Sequence, residues 1–440
     1  MIILKKSTYK YFALLLLIFT AAGCSGLKFA KTTLGNGWSN NSVNTVIFRN
    51  SALTTFNDVQ FTAYYNADSF MVLGKRKHGN TNWQVKVTKY KGNVKDAHNS
   101  ISIAVDANGY LHVSWDQHDT RLRYARSVAP LSLVLGEEIS MTSLQEEKVT
   151  YPEFHNLKDG TLLFCYRSGA SGRGNMVLNS YDPVTQKWQQ VQNNLINGQE
   201  QRSAYWQMCT GAKGLYLSWV WRETWDVSTN HDICYAFSAD GGITWQKSTG
   251  EQYELPITEA TAEKIWNVPQ NSSLINQTAM AVDAAGNAHI STYWDAGNGP
   301  QYKVVYLNNG KWKLLDTDFH KKAFSLGGDG TKSIPMSRPE VLVDYPNVYL
   351  LFRDEERQNK VSVAMASVNS GTWTVKDLSE DDMGQWEPNY DKELWQAKGR
   401  LHIFCQKVSQ ADGEGLAKVA PQPVHVIEIN RFRLLNKRFF

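Results

Sequence analysis

Two histidines stand in strand-end contexts in the first third of the chain. His98 lies in Asp96-Ala-His98-Asn99-Ser100, and His118 in Trp115-Asp-Gln-His118-Asp119. Histidine is the natural acid–base group near neutral pH. The chain has only 10 histidines, so two at consecutive strand ends stand out against the alternative of structural or surface residues. Tyrosines and arginines follow in similar contexts: Tyr166-Arg167 before a Gly/Ser-rich stretch, Arg202 and Tyr205-Trp206, Trp221-Arg222-Glu223, and Asn230-His231-Asp232. Arginine pairs bidentately with carboxylate or sulfate, and tyrosine can give or take a proton. Together these types suit chemistry at a uronic acid. Arginine would neutralise the carboxylate and so acidify the C5 proton. Histidine or tyrosine would remove that proton, and the other would protonate the departing O4. Other chemistries find no motif here: there is no G-x-S-x-G, no P-loop, no H-E-x-x-H and no G-x-G-x-x-G beside a helix.

The elements that must position these residues are short. Apolar–aromatic runs with period two alternate with Gly, Asn and Asp turns, and helical periodicity is almost absent. Asp106-Ala-Asn-Gly-Tyr-Leu-His-Val-Ser-Trp115 shows the recurring unit, a turn followed by a strand. Asp159-Gly-Thr-Leu-Leu-Phe-Cys-Tyr166 and Ala212-Lys-Gly-Leu-Tyr-Leu-Ser-Trp219 repeat it. Their glycines, Gly109, Gly160 and Gly214, are spaced by about 50 to 55 residues, the size of one four-stranded propeller blade. The reading is an all-β fold, a seven-bladed β-propeller occupying 35–440 as one domain. Residues 259–277 are expected to be an inserted loop. Ser238-Ala-Asp240-Gly-Gly242-Ile-Thr244-Trp245 fits the Asp-box pattern of sialidase-like propellers, a structural turn placed away from the active face.

The N-terminus carries Lys5, Lys6 and Lys10, a short apolar run, and Ala21-Ala22-Gly23 before Cys24. This is the pattern of a lipoprotein signal over 1–23 with Cys24 as the acylated residue, followed by a linker over 24–34. The run is too short to span a bilayer comfortably, so a membrane contact through the lipid and a place in the cell envelope are expected. A net charge of +4 argues against a general nucleic-acid binder. Cys165, Cys209, Cys234 and Cys405 lack CxxC or metal-type spacing and are expected to be buried free thiols. The 15 tryptophans and 20 tyrosines suit both sugar stacking and packing between blades.

The longer motifs carry a resemblance. Trp38-Ser39, Phe48-Arg49, Asp96-Ala-His98-Asn99, Leu111-His-Val-Ser-Trp115, Val149-Thr-Tyr151-Pro-Glu-Phe154, Tyr166-Arg167, Tyr205-Trp206, Trp219-Val-Trp221-Arg222, Asn230-His231-Asp232, Ser337-Arg338-Pro339 and Trp386-Glu387-Pro388 span most of the chain. In these it resembles the BNR-repeat family that contains ulvan lyases of polysaccharide lyase families 24 and 25, with rhamnosidases of glycoside hydrolase family 145 as relatives. The resemblance implies β-elimination at rhamnose–uronate linkages of an acidic, sulfated polysaccharide. It assigns catalysis to His98, His118, Tyr205 and Arg222, with Tyr166 a rival for the tyrosine role. Substrate contacts are expected from Tyr166, Arg167, Arg202, Asn230 and His231. The reaction itself needs no cofactor. The family's lyases are known with structural metal ions, which leaves room for a calcium, but no acidic cluster in the sequence places one. A monomer is expected. Two alternatives stay open: an exo-acting rhamnosidase, weakened because no histidine precedes His78, and a glycan-binding lipoprotein without activity.

Overall fold

The computed structural model describes residues 29–429. Seven antiparallel sheets follow one another along the chain. The third blade comprises Val149–Asn156, Leu162–Ser168, Asn175–Asp182 and Lys187–Gln192. The fourth comprises Ser203–Thr210, Leu215–Arg222, Asn230–Ser238 and Glu263–Trp266. First strands of successive blades pack side by side around the axis. Inner strands are covered on both faces by neighbouring blades and therefore read as continuous apolar runs. Leu215–Arg222 is buried at every position, whereas the outer strand Lys187–Gln192 has no buried residue.

The ring closes by sharing a sheet between the chain ends. Ala30–Gly37 pairs antiparallel with Gln422–Ile429, which pairs with Leu401–Gln406. Arg76 of the first blade anchors the closure on Glu428 at 2.5 Å. The closing strand begins at Ala30, inside the segment expected to be linker, so the domain starts before residue 35. A second correction concerns 259–277. Glu263–Trp266 is the outer strand of the fourth blade, and only the flanking residues are loop. Cys24 and the signal segment lie outside the described residues.

Register fixes which loops meet. In the second to fifth blades a Gly-containing turn joins first and second strands at one end, and Gly109 and Gly160 there adopt φ of +84° and +90°, a region that glycine enters without steric cost. The Ser238–Trp245 turn lies at that same end, because Ser238 pairs with Leu215 while Asn230 pairs with Arg222. Asp240 closes it by accepting from the backbone N–H groups of Ile243 and Thr244. Trp245, 1% exposed, packs with Trp206, Trp219 and Trp221 between blades. The opposite end carries the starts of first strands and the ends of second strands. Cys165, Cys234 and Cys405 are buried and Cys209 half-buried, all as free thiols.

Candidate active site

His98 sits on the loop entering the second blade and His118 on the loop leaving that blade's second strand, Leu111–Trp115. Asp96 joins them. Its Oδ1 lies 2.9 Å from His98 Nδ1 and its Oδ2 2.6 Å from His118 Nδ1. The imidazoles stack with centroids 4.1 Å apart, and Phe48 stacks on the other face of His98 at 5.2 Å. Glu414, from the loop preceding Gln422–Ile429, adds an oxygen 3.3 Å from His98 Nδ1. Glu414 is itself held by the N–H groups of Ala97 and Thr331. Burial alone would lower the pKa of His98, but the hydrogen bonds it donates to Asp96 and Glu414 outweigh that and raise it to about 9. Burial pushes Asp96 the other way, toward the neutral acid, yet its two histidine partners hold it well below the usual carboxylate range.

Tyr205 stands near the start of Ser203–Thr210, and Arg222 ends the neighbouring strand. The Arg222 guanidinium lies 5.3 Å from the Tyr205 ring centroid, with Nη1 3.5 Å from the phenol oxygen. Ser171 Oγ is 3.1 Å from that oxygen. Burial raises the phenol's pKa, but Arg222, Arg167, Ser171 and His98 together bring it below the ordinary value. Tyr205 is therefore moved down and His98 up, the divergence from ordinary values that marks acid–base pairs.

Three residues given no site role from the sequence complete the wall. Tyr151 bridges the two halves, with its ring 5.8 Å from His98 and 6.0 Å from Tyr205. It has φ of +57° at a bulge where the pairing of the first two strands of the blade slips. Such backbone strain in a bulky residue is concentrated at functional sites. Pro152 was the available signal, since proline inside a strand run marks a bulge. Arg338 lies 5.4 Å from the Phe48 ring centroid, locked onto Glu387 by a two-armed ion pair. Glu414 was hidden in a turn-rich loop without a motif. Phe48, His98, Tyr151, Arg222 and Arg338 line one narrow pocket. Asp96 and His118 open onto a neighbouring cavity of about 560 Å³ with Arg121 and Arg123.

The remaining expected residues divide. Arg167 belongs to the site, with its guanidinium 5.1 Å from the Tyr151 ring centroid and Nε donating to Gly169 O. Tyr166 does not. It is fully buried in the third blade and donates to Leu144 O. Neighbours on a strand face opposite sides, so a strand that turns Arg167 to the site turns Tyr166 into the core. Asn230 is also structural, bound to Leu274 O and Asn276 Oδ1 in the interior. Arg202 and His231 converge on Glu223 at 2.7 and 2.8 Å. They form a separate ion-pair cluster on the fourth blade, not joined by a direct contact to His98 or Tyr205.

Glu153, His155 and Cys165, and likewise His320, Asp354 and Glu356, bring ligand-type atoms within 4.8 Å of one another. The atoms of Asp96, His98 and His118 are as close, but there the carboxylate is spent on the two imidazoles. Each group contains nitrogen or sulfur, a poor match to the six to eight oxygens that calcium takes. The calcium for which the resemblance left room therefore has no fitting site among these groups.

Residues 59–318 match the BNR repeat-containing family. An Alteromonas ulvan lyase, long isoform, is 23% identical over 300 residues, covering 53% of this chain and 30% of that protein. A short isoform from Alteromonas sp. (strain LOR) is 26% identical over 269 residues, covering 47% of this chain and 49% of that one. The chain thus spans half or less of the length of these curated relatives. Among solved structures, the polysaccharide lyase Uly1 superposes with a TM-score of 0.67 at 17% identity, covering 93% of this chain and 94% of its own. A PL25 ulvan lyase bound to a GlcA(1-4)Rha3S unit gives 0.64 at 15% identity, covering 92% and 96%. The matched residues take in more than half of the chain, from the first blade through the fifth, and on that ground the chain belongs to the BNR repeat-containing family.

Proposed function

We propose that this protein is a polysaccharide lyase that cleaves rhamnose–uronate linkages of an acidic, ulvan-type polysaccharide by β-elimination. The observation that carries the reading is the placement of Tyr205 and His98 on either side of the Tyr151 ring, tuned in opposite directions, with Arg222 beside the phenol. Arg222 meets the uronate carboxylate and withdraws charge from it, which acidifies C5–H. Arg167 adds positive charge behind Tyr151. Tyr205, as phenolate, takes the C5 proton. The electron pair left on C5 forms the C4–C5 double bond as the C4–O4 bond breaks. His98, as imidazolium, gives its proton to O4. Asp96 holds both histidines in place and keeps His98 charged, and Glu414 does the same from the far loop. Passage of the proton from Tyr205 back to His98 resets the site, with His118 the nearest relay.

The names of the relatives and the ligand of the PL25 structure support a uronate–rhamnose sulfate chain as substrate. Arg121, exposed by the neighbouring cavity, suits a sulfate group on a flanking sugar. Attachment to the cell envelope through a lipid on Cys24 and a monomeric state belong to the same proposal. Metabolic labelling with a fatty acid, lost in Cys24→Ser, tests the first. The elimination is tested by incubating the protein with ulvan and following the ultraviolet absorbance of the unsaturated uronate. Release of saturated rhamnose without that absorbance would replace this reading with hydrolysis.

A further inference from the structure

The loop that follows Arg222 on the site face carries a residue that the elimination does not use. Of the 15 tryptophans, Trp225 alone is exposed among the described residues, at 62%. The others are buried or half-buried, as so large an apolar side chain normally is. The backbone beneath the exposed indole is nonetheless fixed. Trp225 O accepts from Arg222 Nη2, and Asp226 N donates to Thr224 Oγ1 at 3.1 Å. Asp226 Oδ1 accepts from Ser228 N at 2.8 Å, capping the turn Val227–Thr229, and from Gly328 N at 2.9 Å. Val227 N donates to Gly328 O at 2.9 Å, and its side chain is buried in one cluster with Ile275, Leu326 and Ile334. A ring held by so well braced a loop loses little freedom when it meets a ligand. Lys332 joins the loop to the pocket. It lines the pocket with His98, Tyr151 and Arg222, and a Cβ on Gly328 would stand 3.4 Å from its Nζ.

We propose that Trp225 is a stacking platform for the sugar joined to C1 of the reacting uronate, a specificity-determining residue at the rim of the elimination pocket. The assignment rests on the elimination reading. There His98 gives its proton to O4, so the sugar that departs with O4 lies on the side of His98 and His118. Tyr205 and Arg222 hold the uronate across the Tyr151 ring from His98. The chain therefore continues from C1 past Arg222, whose guanidinium is bonded to Trp225 itself. A carbonyl oxygen and the ring of the same residue are only a few bonds apart, so the indole stands within reach of the next sugar. An indole offers a broad apolar face without charge. The occupant it fits is a 6-deoxyhexose such as rhamnose, in which a methyl group replaces the hydroxymethyl and enlarges the apolar face. The platform selects that sugar and leaves the chemistry at C5 and O4 to Tyr205, Arg222 and His98.

The test uses the whole mature protein and two substrates: ulvan oligosaccharides that continue beyond the cleaved uronate, and the same chains ending at that uronate as a C1 methyl glycoside. On the longer chains Trp225→Ala should raise KM by roughly 3- to 10-fold, the worth of an aromatic contact. The kcat and the melting temperature should stay nearly unchanged, and Trp225→Phe should recover most of the loss. On the methyl glycosides wild type and Trp225→Ala should match. Where the wild type makes no unsaturated product the elimination reading fails, and calorimetric titration of uncut ulvan then reads the platform by itself, with several-fold weaker binding by Trp225→Ala sustaining it. The proposal is overturned by equal KM values for wild type and Trp225→Ala on the longer chains, by an equal penalty on both substrates, or by equal binding of uncut ulvan. A lowered melting temperature with a matching fall in kcat on both substrates would assign Trp225 to the loop's own structure and overturn it as well.

Discussion

Replacing Asp96 by asparagine tests how the elimination pocket controls its acid. The substitution keeps the shape and one acceptor oxygen but removes the charge shared by His98 and His118. The rise of His98 from 6.5 to about 9 amounts to about 3 kcal/mol of preference for the imidazolium. Burial opposes that preference, so the carboxylates supply all of it. Asp96 is the nearer at 2.9 Å, against 3.3 Å for Glu414. Assigning Asp96 at least half, its loss lowers the pKa of His98 by roughly one unit or more. In the wild type, kcat/KM falls on the alkaline side as His98 loses its proton near pH 9. In Asp96→Asn that limb moves down toward about pH 8 or below. Stability follows the same linkage. The pKa of His98 is higher folded than unfolded, so its contribution is full below about pH 6.5 and is lost as pH rises through about 9. The variant flattens that slope. The assay is initial rates of unsaturated-uronate formation across pH, with melting curves in the same buffers. An alkaline limb that stays in place in Asp96→Asn would refute the assignment of His98 as the acid.

Tyr205→Phe should lower kcat by about 10² to 10⁴ while leaving the melting temperature nearly unchanged, as read by steady-state kinetics and calorimetry. Arg222→Lys keeps a positive charge but loses the planar fork, and should lower kcat/KM more strongly on the uronate chain than a change at Arg202, which is engaged with Glu223. Glu414→Gln should shift the alkaline limb in the same direction as Asp96→Asn but by less, since its contact is longer. Trp245→Ala removes a side chain packed between blades and should cost about 3 to 5 kcal/mol in denaturant unfolding, with the pH profile of the remaining folded enzyme unaltered.

The strands and turns were legible because each is a local matter of alternation and glycine. The blade spacing, the Ser238–Trp245 turn and the strand-end setting of His98 and His118 followed from that. The ends of the domain were less so. Ala30–Gly37 carries little apolar pattern of its own, and its place is fixed by pairing with Gln422–Ile429 at the other end of the chain. Within the site, Tyr205 and Arg222 are diagonal cross-strand neighbours two positions out of register, so their shared strand ends were readable. Tyr151, Arg338 and Glu414 come from other blades and meet only through closure of the ring. Tyr166 was open to rejection by parity alone, since it precedes the site-facing Arg167 on one strand. Asn230 looked like a strand-end ligand until the adjacent loop carbonyl of Leu274 claimed its amide.

The central claim is elimination at a uronate, and the product's double bond tests it most directly. The purified protein, lacking the signal segment, is incubated with ulvan, and the fragments are analysed by ultraviolet absorbance and mass spectrometry, with Tyr205→Phe and Asp96→Asn in parallel. The account predicts fragments carrying a 4,5-unsaturated uronate at the new non-reducing end, made by the wild type and suppressed by Tyr205→Phe. Fragments heavier by one water, with no absorbance gain, or an undiminished unsaturated product from Tyr205→Phe, would contradict it.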